Sequence, residues 1–200
     1  MQSVLPKHKY HHFGPYLAEM DVDPDYCARL LKLGKKLKTS FRSKLAGQIE
    51  HEYVYPIGKE PWIFDGLKVY INTWIEGFKV FKDPNLNPQY KLNTMWINKM
   101  KAKEYNPVHI HYKCDVSFVL WLQVPQQMLN ESKKQATGGS PPGSISFMYG
   151  EDKWSVINEQ TFIPKVYTMV MFPSDLRHSV MHFESKVTRI SASGNIKFSP

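Results

Sequence analysis

Two histidines one residue apart, His109 and His111, are the side chains of this chain best suited to chemistry. In an extended strand, residues two apart point to the same face about 7 Å from each other, so both imidazoles could reach one metal ion. A third imidazole, from the distant His178, would fill three corners of a coordination shell and leave the rest open for substrate and oxygen. The spacing favours a non-haem iron site, although a surface strand can carry a histidine pair without any function.

The elements that must position these histidines begin with two predicted helices. Asp23 can cap a helix that starts at Pro24, and apolar residues follow it at spacings of three and four. A second helix is predicted over residues 62–82, ended by Asp83-Pro84-Asn85. We expect both helices to form one layer. The apolar residues of the first helix are Tyr26, Leu30, Leu33, Leu37, Phe41 and Leu45.

After Pro88 the pattern changes to short β-rich runs separated by turn residues. Many short strands without intervening helices favour an antiparallel sandwich or jelly roll over a parallel sheet. Residues 126–143, which contain Gly138-Gly139-Ser140-Pro141-Pro142-Gly143, are predicted to form a mobile loop, and a disordered insertion is the alternative. The predicted strands are residues 92–100, 107–112, 116–124, 144–149, 166–172, 179–183 and 187–198.

The length of 200 residues fits one domain, with residues 1–88 as its helical part and residues 89–200 as its β core. No run approaches the roughly 20 apolar residues of a membrane helix, and the N-terminus lacks an apolar stretch, so we expect neither a membrane segment nor export. The two distant cysteines, Cys27 and Cys114, favour a reducing compartment, and we expect the cytoplasm.

The net charge of +8 includes a basic run that contains no acidic residue. A solvated helix face explains such a run, and the alternative is a binding surface for an anionic macromolecule. The run consists of Lys32, Lys35, Lys36, Lys38, Arg42 and Lys44.

Four segments in a fixed order carry a resemblance to a known family. They cover roughly residues 90–198 and resemble the 2-oxoglutarate/Fe(II) oxygenases, in particular phage and bacterial members similar to the prolyl-4-hydroxylases. The segments are Trp96-Ile97-Asn98 leading to His109-Ile110-His111, residues 115–122, Phe172-Pro173-Ser174 before His178, and residues 189–196.

The resemblance implies a mainly β protein, a double-stranded β-helix (jelly roll) with N-terminal helices on one face and with Fe(II) and 2-oxoglutarate at its mouth. By position it implies His109 and His178 as metal ligands. His111 stands where most relatives have a carboxylate, so a three-histidine site would leave both positive charges of the metal uncancelled. Asp115 stays open as the alternative third ligand. Arg189 and Ser191, two residues apart on the last predicted strand, would bind the far carboxylate of 2-oxoglutarate.

The resemblance implies a dioxygenase that hydroxylates a substrate and releases succinate and CO₂. One alternative is a three-histidine thiol dioxygenase, in which Arg189 would bind a substrate carboxylate and no ketoacid would be needed. Another is a jelly-roll module without catalysis that binds an anionic partner through the basic run. The primary substrate stays open, and a viral protein of this kind would work in the host cytoplasm.

Overall fold

Ten strands in two antiparallel sheets dominate the structure, a computed structural model that describes residues 14–134 and 140–199. The larger sheet has the strand order β1-β8-β5-β10-β3-β2, and the smaller sheet has the order β4-β9-β6-β7. The strands are β1 (Ala18–Asp21), β2 (Glu52–Val54), β3 (Gln89–Met100), β4 (Asn106–His109), β5 (Val116–Gln123), β6 (Ile145–Met148), β7 (Glu159–Phe162), β8 (Thr168–Pro173), β9 (Arg177–Val180) and β10 (Arg189–Ser199).

From β3 onward the chain crosses repeatedly between the two sheets, and this winding is the double-stranded β-helix, or jelly roll. The two main helices, α1 (Pro24–Lys36) and α2 (Pro61–Phe81), pack on the outer face of the larger sheet. The predicted fold class, a mainly β jelly roll with N-terminal helices on one face, is therefore confirmed. Within the described residues, no helix is both long and apolar enough to cross a membrane.

The last strand, β10, has two chemically different faces because side chains alternate along a strand. Ile190, Ala192 and Ile196 belong to the apolar core that the sheet shares with the helices. Arg189 and Ser191 point to the opposite side and line a cavity between the sheets. Each large apolar side chain buried on the helix side contributes roughly 1.5–3 kcal/mol, so the outer face stabilises the fold while the inner face is free to carry polar groups.

Helix α1 begins as predicted but ends earlier. The Asp23 side chain accepts a hydrogen bond of 3.0 Å from the Asp25 backbone N–H, and Pro24 occupies the first turn. Leu37 then adopts an extended conformation, and the Phe41 backbone N–H donates to the carbonyl of Glu52 on β2. Pairing with β2 therefore overrides the helical spacing, and the extension of this helix through Phe41 to Leu45 was wrong.

Several other boundaries differ from the prediction. Strands β1, β2 and β7 were not predicted, and β4 ends at His109 instead of continuing to residue 112. The loop predicted over residues 126–143 begins with a helix, α3 (Gln126–Asn130), and a 3₁₀ turn (Glu131–Lys134), while residues 135–139 lie outside the described part. The division of the chain at residue 88 stays a prediction, and the N-terminal side supplies both strands that flank the larger sheet.

Candidate metal centre

Three imidazoles meet in the cavity beside the smaller sheet. Strands β4 and β9 pair with His109 directly opposite His178, and His111 lies two residues beyond the end of β4. One nitrogen from each ring lies within 4.8 Å of the others. The ring centroids are 4.2 Å apart for His109 and His178, 5.0 Å for His111 and His178, and 5.3 Å for His109 and His111. Small side-chain rotations would bring three nitrogens to the 2.0–2.2 Å typical of metal–imidazole bonds.

Hydrogen bonds orient all three rings in the same way. His109 and His178 each have Nδ1 within reach of the backbone carbonyl oxygen two residues earlier, at 2.8 and 2.9 Å. His111 has Nδ1 at 2.7 Å from Asn195 Oδ1, and Ser117 Oγ lies 2.9 Å from both groups. Because carbonyl and amide oxygens only accept hydrogen bonds, each Nδ1 carries the proton and each Nε2 keeps a lone pair for a metal.

The surroundings keep these rings neutral. Burial lowers the pKa of His109, and burial lowers the pKa of His111 to about 4, with a further lowering from the adjacent His109 ring. Burial and the two neighbouring imidazoles lower the pKa of His178 to about 3. Neutral imidazole is the form that binds metal. Three neutral nitrogens with open positions around them suit Fe(II), so the residues present fit the metal that the sequence predicted.

The turn Phe172-Pro173-Ser174 holds the segment that carries His111. The Ser174 carbonyl accepts a hydrogen bond of 2.8 Å from the His111 backbone N–H, and the Ser174 hydroxyl donates to the Cys114 carbonyl at 2.6 Å. Lys113, between them, has a φ of +61°, an unfavourable conformation for a residue with a side chain. The turn therefore fixes the backbone that aims His111 at the other two rings.

Replacing Ser174 with alanine removes the hydroxyl that serves the Cys114 carbonyl. We expect a loss of about 1 kcal/mol in the free energy of unfolding, because a polar group in this part-buried turn is left without a partner. Urea unfolding monitored by tryptophan fluorescence measures the change, with alanine at the exposed Ser155 as the control. Equal stability of both variants would contradict this role of the turn.

Asp115, the alternative third ligand, is engaged elsewhere. Its carboxylate lies 3.0 Å from the Lys197 ammonium and accepts a hydrogen bond of 2.7 Å from the Phe198 backbone N–H. Among the described residues, the one cluster of metal-binding side chains consists of His109, His111 and His178. The structure therefore brings together the three histidines and leaves Asp115 outside the cluster.

Arg189 lies in the same cavity, which has a volume of about 460 Å³. The guanidinium is buried, and its contacts are Met100 Sδ at 3.0 Å and Ser191 Oγ at 3.5 Å. Its Nε has no hydrogen-bond partner, and no carboxylate of the described residues lies within 4.0 Å of it. Burial lowers its pKa to about 10, so it remains a cation at neutral pH. A buried unpaired cation is costly, and an anionic ligand would offset that cost.

Asn98 fixes the position of Ser191 beside this guanidinium. Its amide nitrogen lies 3.5 Å from Ser191 Oγ and 3.2 Å from Ser193 Oγ, while its oxygen accepts a hydrogen bond of 3.1 Å from the Trp96 indole. Asn98, Ser117, Ser174 and Asn195 lie within the motifs of the sequence but had no predicted role. For the three that lie on strands, Asn98, Ser117 and Asn195, the alternation of side chains along the strand was the available signal.

A buried carboxylate, Glu52 on β2, also lines the cavity and was missed. Only 1 % of its surface is exposed, and its Oε2 has no hydrogen-bond partner. Burial raises the pKa of Glu52 to about 7, and this exceeds the opposite effect of Arg42. A three-residue strand has too short a pattern to be recognised in sequence, which is why this residue was not singled out.

The glutamine variant of Glu52 tests the cost of that burial. A raised pKa means that the folded state favours the protonated acid, so the stability from this group is present below pH 4.5 and is lost as pH rises through 7. We expect Glu52→Gln to stabilise the protein by about 2 kcal/mol at pH 8 and to change little at pH 4.5. Urea unfolding at both pH values measures this, and destabilisation at pH 8 would contradict it.

One cavity of the jelly roll joins three neutral imidazoles, which could hold a metal ion, to a buried guanidinium, which could bind an anion. A family model described as "Putative 2OG-Fe(II) oxygenase" matches residues 94–195, just over half of the chain. The chain therefore belongs to this 2OG-Fe(II) oxygenase family, as the resemblance predicted. Fe(II) and 2-oxoglutarate are the cofactor and co-substrate of the family, and the prediction of both is confirmed.

Solved structures with low sequence identity share the fold. An oxidoreductase of the 2OG-Fe(II) oxygenase family from Burkholderia pseudomallei is 13% identical, with 90% of this chain and 84% of that chain covered and a TM-score of 0.60. The viral collagen prolyl hydroxylase of Paramecium Bursaria Chlorella virus-1 is 14% identical, with 92% and 96% covered and a TM-score of 0.58. HygX from Streptomyces hygroscopicus, solved with nickel and 2-oxoglutarate bound, is 8% identical, with 92% and 83% covered and a TM-score of 0.58. No curated protein sequence matches the chain.

Proposed function

We propose that this protein is an Fe(II)- and 2-oxoglutarate-dependent dioxygenase that hydroxylates its substrate. One observation carries the proposal: a cluster of three neutral imidazoles and a buried, unpaired guanidinium line the same cavity. A metal site alone is compatible with many reactions. The guanidinium of Arg189 in the same cavity could in addition bind the second carboxylate of a co-substrate. The family to which the chain belongs supports this assignment.

His109, His111 and His178 would hold the iron, and Arg189 with Ser191 would bind the far carboxylate of 2-oxoglutarate. When bound, the iron and 2-oxoglutarate supply oxygen-activating chemistry that inserts one oxygen atom of O₂ into a C–H bond, while 2-oxoglutarate becomes succinate and CO₂. Asn195 and Ser117 orient the His111 ring, and Asn98 holds the Ser191 hydroxyl in place. The cavity walls position the co-substrate and limit the access of water.

The test measures 2-oxoglutarate turnover directly. Protein loaded with Fe(II) under anaerobic conditions is mixed with 2-oxoglutarate and then exposed to oxygen, and succinate is quantified. We expect the iron-loaded protein to form more succinate than a metal-free control does. A thiol dioxygenase would instead consume oxygen with a small thiol such as cysteine and without 2-oxoglutarate, so that result combined with absent succinate would overturn the proposal.

The basic run supports a second, separate binding role. All six residues of the run are exposed, and none forms an ion pair within 4.0 Å among the described residues. Lys44 also lines the cavity, which brings the run to the opening of the candidate site. We propose that this surface attracts an anionic macromolecule. Binding that weakens steeply with added salt and survives metal chelation would support it, and salt-independent binding would contradict it.

A further inference from the structure

Two acceptor oxygens in the cavity wall have no donors. Glu52 Oε2 and Asn106 Oδ1 are both buried and without hydrogen-bond partners, and both residues line the cavity that contains the three histidines and Arg189. Burying a polar atom without a partner destabilises a protein by about 1–3 kcal/mol. Two such atoms in the wall of one cavity indicate that a ligand with N–H groups supplies the missing hydrogen bonds.

Gly47 packs closely against these two side chains. A side chain at this position would collide with the Asn106 amide oxygen and would lie 3.3 Å from Glu52 Oε1. Because Gly47 has no side chain, its backbone can approach both acceptor groups without blocking them. Gly47, Glu52 and Asn106 therefore form one close-packed part of the cavity wall.

The charge around Glu52 is not neutralised by the protein. Arg42 is exposed and forms no ion pair with Glu52 within 4.0 Å, and Glu104 is a second carboxylate close enough to raise the pKa of Glu52. Water screens the exposed cations at the cavity mouth, whereas the buried carboxylate is screened far less. The attraction between Glu52 and a cationic ligand group at the inner wall would therefore be stronger than the repulsion of that group by Arg42 and Lys44.

The position of these oxygens fits a second ligand beside 2-oxoglutarate. Strand pairing places Glu52 opposite Asn98, whose amide contacts Ser191. Asn106 precedes His109 by three residues on β4, a separation of up to about 10 Å along a strand. The acceptors and the metal ligands therefore line the same cavity.

We propose that Glu52, together with Asn106, binds an ammonium group of the primary substrate. The proposal rests on the oxygenase function above and names the substrate class: an amine that is protonated at neutral pH. An ammonium carries a positive charge, three donors and no acceptor, which matches a buried carboxylate and an amide oxygen that both lack donors. Glu52 acts here as a specificity-determining residue.

Pentylammonium is a suitable probe, and pentan-1-ol, of the same length and without charge, is its control. Both are titrated at pH 8 into the Fe(II)- and 2-oxoglutarate-loaded protein without oxygen, using the wild type and Glu52→Gln. We expect the wild type to bind pentylammonium at least tenfold more tightly than the variant does, because glutamine keeps the shape and removes the charge. We expect pentan-1-ol to bind both proteins equally.

Glu50→Gln is the matched charge control. Glu50 is exposed, lies two residues away and is not part of the cavity wall, so its variant should bind pentylammonium within twofold of the wild type. Equal binding of pentylammonium to the wild type and Glu52→Gln would overturn the proposal, as would wild-type binding no tighter than that of pentan-1-ol. An equal loss in Glu50→Gln would overturn it too, because general charge would then explain the effect.

The same samples separate this proposal from the oxygenase assignment. Titration of 2-oxoglutarate should give the same affinity for the wild type and Glu52→Gln, since Arg189 and not Glu52 binds that molecule. If 2-oxoglutarate fails to bind the wild type, the proposed function is contradicted, and the pentylammonium comparison repeated on metal-free protein still decides whether Glu52 binds an ammonium. A melting temperature of Glu52→Gln at pH 8 below that of the wild type would indicate a structural role and would overturn the proposal.

Discussion

Replacing His178 with alanine is expected to weaken Fe(II) binding at least tenfold. The ring is nearly fully buried, it lies directly opposite His109 in the smaller sheet, and its Nδ1 is held by a backbone carbonyl. Loss of a ligand or of its support typically weakens metal affinity by about 10- to 100-fold. Anaerobic titration of Fe(II), followed by equilibrium dialysis, measures the change.

His182→Ala is the matched control for this experiment. His182 lies four residues along the chain, is half-exposed beside Glu184 and is not part of the three-histidine cluster. We expect its alanine variant to bind Fe(II) like the wild type. Undiminished Fe(II) binding by His178→Ala would refute the three-histidine site, and an equal loss in both variants would show that the effect is not specific to the cluster.

Arg189→Ala is expected to weaken 2-oxoglutarate binding by roughly 10- to 150-fold, because a charge-assisted bidentate contact contributes about 1.5–3 kcal/mol. Fe(II) affinity should stay nearly unchanged, since Arg189 is not part of the histidine cluster. Isothermal titration of 2-oxoglutarate into protein loaded with Fe(II) under anaerobic conditions measures the first affinity, and titration of Fe(II) into the metal-free protein measures the second. Equal 2-oxoglutarate affinity in the wild type and the variant would contradict the proposed role.

Two further variants sharpen the test of Arg189. Arg189→Lys should restore only part of the lost affinity, because an ammonium cannot reproduce the two parallel hydrogen bonds of a guanidinium. Alanine at Arg177, an exposed arginine on β9, should leave 2-oxoglutarate binding unchanged. Full recovery by lysine would mean that charge alone, without the paired hydrogen bonds, determines affinity.

The histidine cluster could be predicted from the sequence, but its geometry could not. Strand periodicity suggested that His109 and His111 share one face, and the resemblance supplied His178. In the structure, β4 ends at His109, and a register shift between Asn106 and His109 lets both of these residues face the cavity. His111 reaches the cluster because Ser174 holds its backbone, a contact between residues 63 positions apart that no local pattern encodes.

The fold was predictable where elements are long and periodic. The second helix and the strands β3, β5 and β10 lie within a few residues of their predicted bounds, because burial of one face imposes a regular spacing over many residues. Strands β1 and β2 have four and three residues, too few for a period, and they form because a long strand next to them offers hydrogen bonds. Glu52 was missed for the same reason.

Strands β1 and β2 occupy the two edges of the larger sheet, next to β8 and β3. An uncovered edge presents a row of unpaired backbone groups to any other chain, which makes it a site for aggregation. Strands β1 and β2 have only four and three residues, and such short edge strands offer few groups for that pairing. Gly47 and Glu52, before and within β2, also line the cavity. Around β2, one edge of the sheet and one part of the cavity wall are therefore built from the same short stretch of chain, residues 47–54.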